Sequence, residues 1–222
     1  MAAIMRTVLT LATLACCGLA ADARAQSVSV EAFAGSAYNL PTPLTVQQDG
    51  FPDIRITARY DTRPFGPYAP YYSWRVGLWN DDHTAAWEFG QLHHRLFLTN
   101  NPPEIDQFEI HYGYNFFFVG RAWTGAGFVY HLDGGVLICN PANIVRGQQL
   151  DTRGTGLFGA GYSVSGGGAV LAVSREIDLV GNLFASANAG LLIGRARVPV
   201  VDGSAAVPNV SLHGQIGLGL RF

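Results

Sequence analysis

Apolar and polar residues alternate with a period of two along much of this chain. That period puts successive side chains on opposite faces of a strand. In 53–61, Ile54, Ile56, Ala58 and Tyr60 share one face, and Asp53, Arg55, Thr57, Arg59 and Asp61 share the other. In 72–79, Tyr72, Trp74, Val76 and Leu78 oppose Ser73, Arg75, Gly77 and Trp79. In 107–118 the apolar set is Phe108, Ile110, Tyr112, Tyr114, Phe116 and Phe118, against Gln107, Glu109, His111, Gly113 and Asn115. Segment 182–194 opposes Leu183, Ala185, Ala187, Ala189, Leu191 and Ile193 to a polar and glycine set. In 210–222, Val210, Leu212, Ile216, Leu218, Leu220 and Phe222 oppose Ser211, His213, Gln215 and Arg221. Segment 85–98 changes phase between Phe89 and Leu92, and a bulge at Gly90-Gln91 would reconcile its two halves.

Strands with one apolar and one polar face fit a closed antiparallel barrel that turns its apolar side to lipid. A soluble antiparallel sandwich alternates in the same way. Aromatic residues near strand ends favour the membrane, because tyrosine and tryptophan gather at lipid–water interfaces. One division gives eight strands, near 53–62, 72–80, 85–98, 107–118, 124–139, 155–175, 181–195 and 210–222. Segment 27–38 also alternates, and splitting 155–175 at Ser165-Gly166-Gly167-Gly168 then gives ten. The expectation is eight, with 27–38 as the first strand and two of the other segments merged or off the wall.

The first residues read as an export signal. Arg6 precedes an apolar stretch from Thr7 to Ala20, and Ala23-Arg24-Ala25 offers small residues for cleavage before Gln26. The expected organisation is a signal peptide at 1–25 and an outer-membrane β-barrel domain at 26–222. Cys139 is then the one cysteine left, so no intrachain disulfide is expected. All 14 basic residues of the chain are arginine. Removing Arg6, Arg24 and Asp22 leaves 12 basic and 15 acidic residues, a net charge of −3. That balance argues against a nucleic-acid partner, which would need a basic surface.

The polar faces give the expected interior: Arg55, Arg59, Arg75, Glu88, His93, Arg95, Glu109, His111, Asn115, His131, Asp133, His213 and Arg221. A barrel of about eight strands is narrow enough for side chains to fill it. Charges inside must pair, since a lone buried charge is costly. The network centres on Arg55, Arg59, Arg75, Glu88, His93 and Asn115. No HExxH, CxxC or other spaced ligand set occurs, so neither a metal nor another cofactor is expected.

Two resemblances to known families follow from these residues. The ending Gly-Leu-Gly-Leu-Arg221-Phe222 resembles the C-terminal assembly signal of bacterial outer-membrane barrels. It implies handling by the barrel-assembly machinery through Phe222, and membrane lipid and lipopolysaccharide as surroundings. The stretch Phe108-Glu109-Ile110-His111-Tyr112-Gly113-Tyr114-Asn115 resembles the active-site strand of the outer-membrane lipid A deacylases, which are eight-stranded barrels with a Ser-His-Glu arrangement. His111 matches their histidine, but Gly113 stands where the serine belongs and Asn115 falls one residue late. The resemblance covers fewer than ten residues. It implies His111 as base and Glu109 as its orienter, with Ser163, Ser165 or Ser211 needed as a substitute nucleophile.

The expected protein is therefore a barrel of the cell outer membrane with a polar, plugged interior and a structural or envelope-interaction role. The alternatives are an acyl-chain hydrolase acting on lipid A or phospholipid, and a soluble periplasmic β-sandwich.

Overall fold

The computed structural model describes residues 27–65 and 70–222. The expected export signal at 1–25 lies outside the described residues. Among the described residues thirteen strands follow in chain order: β1 (Ser27–Asn39), β2 (Thr42–Gln48), β3 (Ile54–Ala58), β4 (Tyr60–Asp61), β5 (Tyr72–Trp79), β6 (Ala85–Leu98), β7 (Ile105–Gly125), β8 (Phe128–Cys139), β9 (Ala142–Val145), β10 (Gln148–Gln149), β11 (Ser163–Val180), β12 (Leu183–Val200) and β13 (Gly203–Arg221).

Eight of them close a ring. Hydrogen-bonded neighbours run β1-β5-β6-β7-β8-β11-β12-β13, and β13 returns antiparallel to β1 from Ser29↔Arg221 to Asn39↔Ser211. The wall is therefore an eight-stranded antiparallel barrel, with 27–39 as its first strand. Closure leaves the wall without an unpaired edge. The segment 53–62 is not part of it. The short turns 80–84, 126–127 and 181–182 lie at one end, here the turn end, together with Ser27 and Arg221. The longer connections lie at the other, the loop end. There β2 and β3 extend β13, β4 pairs with the tip of β6, and β9 and β10 extend β7.

The interior has two storeys. In the turn half it is polar: Ser29, Glu31, Arg75, Glu88, His131, Asp133, Ser174 and Ser186 are all buried. In the loop half it is mainly apolar, with His94, Asn209 and Ser211 buried among the apolar side chains. Leu92, Leu96, Phe108, Ile110, Tyr114, Phe116, Leu137 and Leu192 pack there, roofed by Leu44, Val46, Ile54 and Tyr60 from the added strands.

This division corrects several expectations. Ile54, Ala58 and Tyr60 are buried, but on the inner side of the roof and not on a wall. Their polar neighbours Arg55 and Arg59 consequently face solvent and are not interior residues. On β7 the faces are reversed: Phe108, Ile110, Tyr114 and Phe116 point in, while Tyr112 is exposed. Burial in an apolar storey replaces contact with lipid for these side chains. The same storey explains the phase change on β6. Leu92 and His94 face in directly after the outward Phe89, with unbroken register through Gly90↔Phe118 and Gln91↔Phe117. The register shift falls instead between His94 and Leu96.

Candidate functional site

Inside the turn half, Arg75 is the central cation. Its Nε lies 3.5 Å from Glu88 Oε1, and its Nη1 donates to His131 Nε2 at 3.3 Å. His131 Nδ1 is 2.8 Å from the other Glu88 oxygen, and its Nε2 is 2.8 Å from Ser174 Oγ. Ser174, His131 and Glu88 are thus arranged like a nucleophile, base and orienter. Ser174 is only 1% exposed, however, so no substrate reaches it. A second chain, Tyr71–His213–Ser211–Asn209–Asn39–Thr62, runs up the wall in steps of 2.8 to 2.9 Å. The internal cavity beside Arg75, Asp133 and Asn188 measures about 20 Å³, close to the space of one water.

The pair read as catalytic, His111 and Glu109, is brought together. His111 Nδ1 lies 3.3 Å from Glu109 Oε2, and both are about a quarter exposed on the outward side of β7. The three serines considered as partners are engaged elsewhere. Ser163 and Ser165 bond each other at 3.1 Å, and Ser211 bonds His213. Gly113 has a physical reason to be glycine. Its φ is +117°, and a Cβ there would sit 2.5 Å from His93 Nδ1 and 2.7 Å from Asn115 Nδ2. A serine at 113 would collide with the site that the glycine makes possible.

That site is on the outside of the wall at the loop end. His93 and Asn115 are opposed across β6 and β7, on the same outward row as Tyr72. Gln91 lies one row nearer the turn end, beside Phe117. His93 Nδ1 donates to Asn115 Oδ1 at 2.7 Å, and its ring stacks on Tyr72 with centroids 4.7 Å apart. Asn115 Nδ2 donates to the carbonyls of Tyr112, Gly113 and Ile138. Those three acceptors fix the amide, so Oδ1 faces the histidine and Nδ1 carries the proton. Gln91 Nε2 also donates to Asn115 Oδ1, while Gln91 Oε1 accepts from Trp74. His93 and Asn115 were expected inside the barrel. They are buried, but beneath a loop on the outer face.

The covering loop is glycine-rich. Gly154, Gly156, Gly159 and Gly161 all take positive φ, and Phe158 does so at its tip. Asn140 Nδ2 holds the Ala160 carbonyl at 2.9 Å, and Tyr162 OH donates to the Tyr112 carbonyl at 3.3 Å. Burial, then the nearby Tyr72 and Tyr112 phenols, push the Tyr162 hydroxyl up, so it remains a donor. Between loop and wall lies a cavity of about 600 Å³, within the range of small-molecule sites. In the sequence Tyr72 reads as part of an apolar strand face and Gln91 as part of a bulge, and nothing there joins them to His93 and Asn115. Their signal is a cluster of amide, imidazole and phenol groups on neighbouring outward positions, visible only once the register is known.

No family model matches the chain, and no curated protein matches it in sequence. Solved structures do. The outer-membrane protein OprG of Pseudomonas aeruginosa is similar with a TM-score of 0.49 and 11% identity, covering 88% of this chain and 95% of that one. The outer-membrane protein AlkL in lipid bilayers gives 0.47 and 12%, over 89% and 90%. The attachment invasion locus protein of Yersinia pestis gives 0.40 and 12%, over 88% and 98%.

Proposed function

We propose that this chain is a barrel of the bacterial outer membrane that is sealed and works through its outer surface. The filled interior carries this reading: a charged storey and a mainly apolar storey lie in series, and the cavity beside Arg75 measures only about 20 Å³. An open diffusion channel needs about twice as many strands. The outer wall supports the membrane. Val30, Phe89, Val119, Leu132, Val136, Leu171, Leu212 and Ile216 are exposed on it, far more contiguous apolar surface than a soluble protein leaves open. Trp123, Phe128 and Tyr130 lie towards the turn end, and Tyr38, Tyr72 and Tyr112 towards the loop end. These are two aromatic girdles.

The wall strands are also longer than a bilayer needs. β7, β11, β12 and β13 have 21, 18, 18 and 19 residues, against roughly 9–11 for a crossing strand. About half of each therefore stands outside as a rigid platform carrying the loops. Its role is to present surface to the envelope and its exterior. Reconstituted in a planar bilayer, the protein should pass no steady ionic current. A stable conductance with the barrel folded would overturn the sealed reading.

A further inference from the structure

We infer that the cavity between the 154–162 loop and the outer wall holds an ester-linked acyl chain of a membrane lipid. The inference rests on the membrane placement above, but not on the sealed interior.

Depth comes first. From Trp123 in the lower girdle to Asn115 is eight residues along β7. At a rise of about 3.3 Å and a tilt of about 40°, that is roughly 20 Å. The His93–Asn115 row thus lies at the upper edge of the hydrocarbon, where lipid esters sit. Polar side chains on a lipid-facing row are expensive and mark function by default. Here they are shielded by the loop and satisfied by one another, apart from His93 Nε2, which is buried without a partner.

Continuity with the bilayer comes next. Below the cavity a groove of about 370 Å³ runs down the outer wall, and Phe117 lines both. The groove exists because Gly134 leaves a gap in the outward row between Phe89, Val119 and Val136. It leads from hydrocarbon to cavity without leaving the apolar surface. An acyl chain is the occupant that such a path delivers, because a soluble ligand would instead enter from the loops.

The mouth has the right chemistry. Tyr72 and Tyr112 line the cavity and stay 39% and 48% exposed. Their hydroxyls are donors suited to an ester carbonyl, which accepts only. Leu157 and Phe158 form the opposite lip, and Phe158 is fully exposed at the loop tip. An aromatic tip facing the interface closes over a lipid chain at little cost.

The test uses the folded protein in phosphatidylcholine vesicles doped with a phosphatidylcholine that carries a photoreactive diazirine on one acyl chain. After illumination and digestion, adducts should concentrate on Phe117, Val136, Ile138, Leu157 and Phe158, several-fold above Leu212 and Ile216 on the other side of the barrel. Gly134→Leu fills the groove where a Cβ meets nothing within 4 Å, so the fold should be kept. It should bring the cavity adducts down to the level of Leu212. Phe158→Ser on the exposed tip should lower them as well. Even labelling around the wall, or cavity labelling unchanged in Gly134→Leu, would overturn the inference. A conducting barrel that still labels at the cavity would sink the sealed reading and leave this one standing.

Discussion

At the residue scale, glycine and arginine show how local chemistry fixes this protein. Gly113 and Gly134 sit on neighbouring wall strands, and both look replaceable in sequence. Gly113→Ala must hold alanine at φ +117° and push a methyl to 2.5 Å from the His93 ring. Strain of that kind costs about 1–3 kcal/mol. Gly134→Ala meets open space and gains strand propensity, so its stability should stay within about 0.5 kcal/mol of the parent or rise. Urea unfolding in vesicles checks both; equal effects would show that the backbone at 113 is not constrained as described. Arg75 is the other case. It faces Glu88 directly, and Glu31 and Asp133 are buried in the same storey. Arg75→Ala removes the cation from among these acids and should cost about 3–5 kcal/mol. A loss below about 1 kcal/mol would mean that the carboxyls are neutral or solvated without it.

At the element scale, what could be read in the sequence depended on which storey a strand lines. In β5, β12 and β13 the polar face is the interior face, because Ser73, Arg75, Ser186, Asn188, Ser211 and His213 are buried inside the barrel. There apolar-out, polar-in is the correct rule. The loop halves of β6 and β7 break that rule. Their apolar residues pack inward under the β2–β4 roof, and Gln107, Glu109 and His111 look outward above the bilayer. Alternation gives the period but not the sign, and on β7 the inward face stays apolar from Phe108 to Phe118. Arg55 and Arg59 were misplaced for the same reason: period two is as true of a roof strand as of a wall strand. The neighbours Phe116 and Phe117 test this directly. Phe116 is fully buried, whereas Phe117 is 36% exposed on the outer wall. Phe116→Ala should cost about 3–5 kcal/mol, as deletion of a packed ring does. Phe117→Ala should cost far less, since lipid fills the space it leaves. The reverse order of stabilities would restore the opposite facing of β7.

At the scale of the whole molecule, the barrel is asymmetric along its axis in length, in filling and in exposed chemistry. The turn end is trimmed to two-residue hairpins at 126–127 and 181–182, while the loop end carries the roof, the β9–β10 hairpin and the 154–162 loop. Insertion with the turn end inside the cell envelope leaves all of this outside. Orientation can be read with single cysteines, because Cys139 is buried and should stay silent to a membrane-impermeant maleimide. Arg153 is exposed in the loop after β10, and Asp81 is exposed in the turn between β5 and β6. In intact cells Arg153→Cys should label and Asp81→Cys should not. Both should label once the outer membrane is permeabilised. Labelling of Asp81→Cys alone in intact cells would invert the barrel and place the cavity in the inner leaflet. Labelling of both would mean that the wall does not separate two compartments, and the exposed apolar band would then need a protein partner in place of lipid.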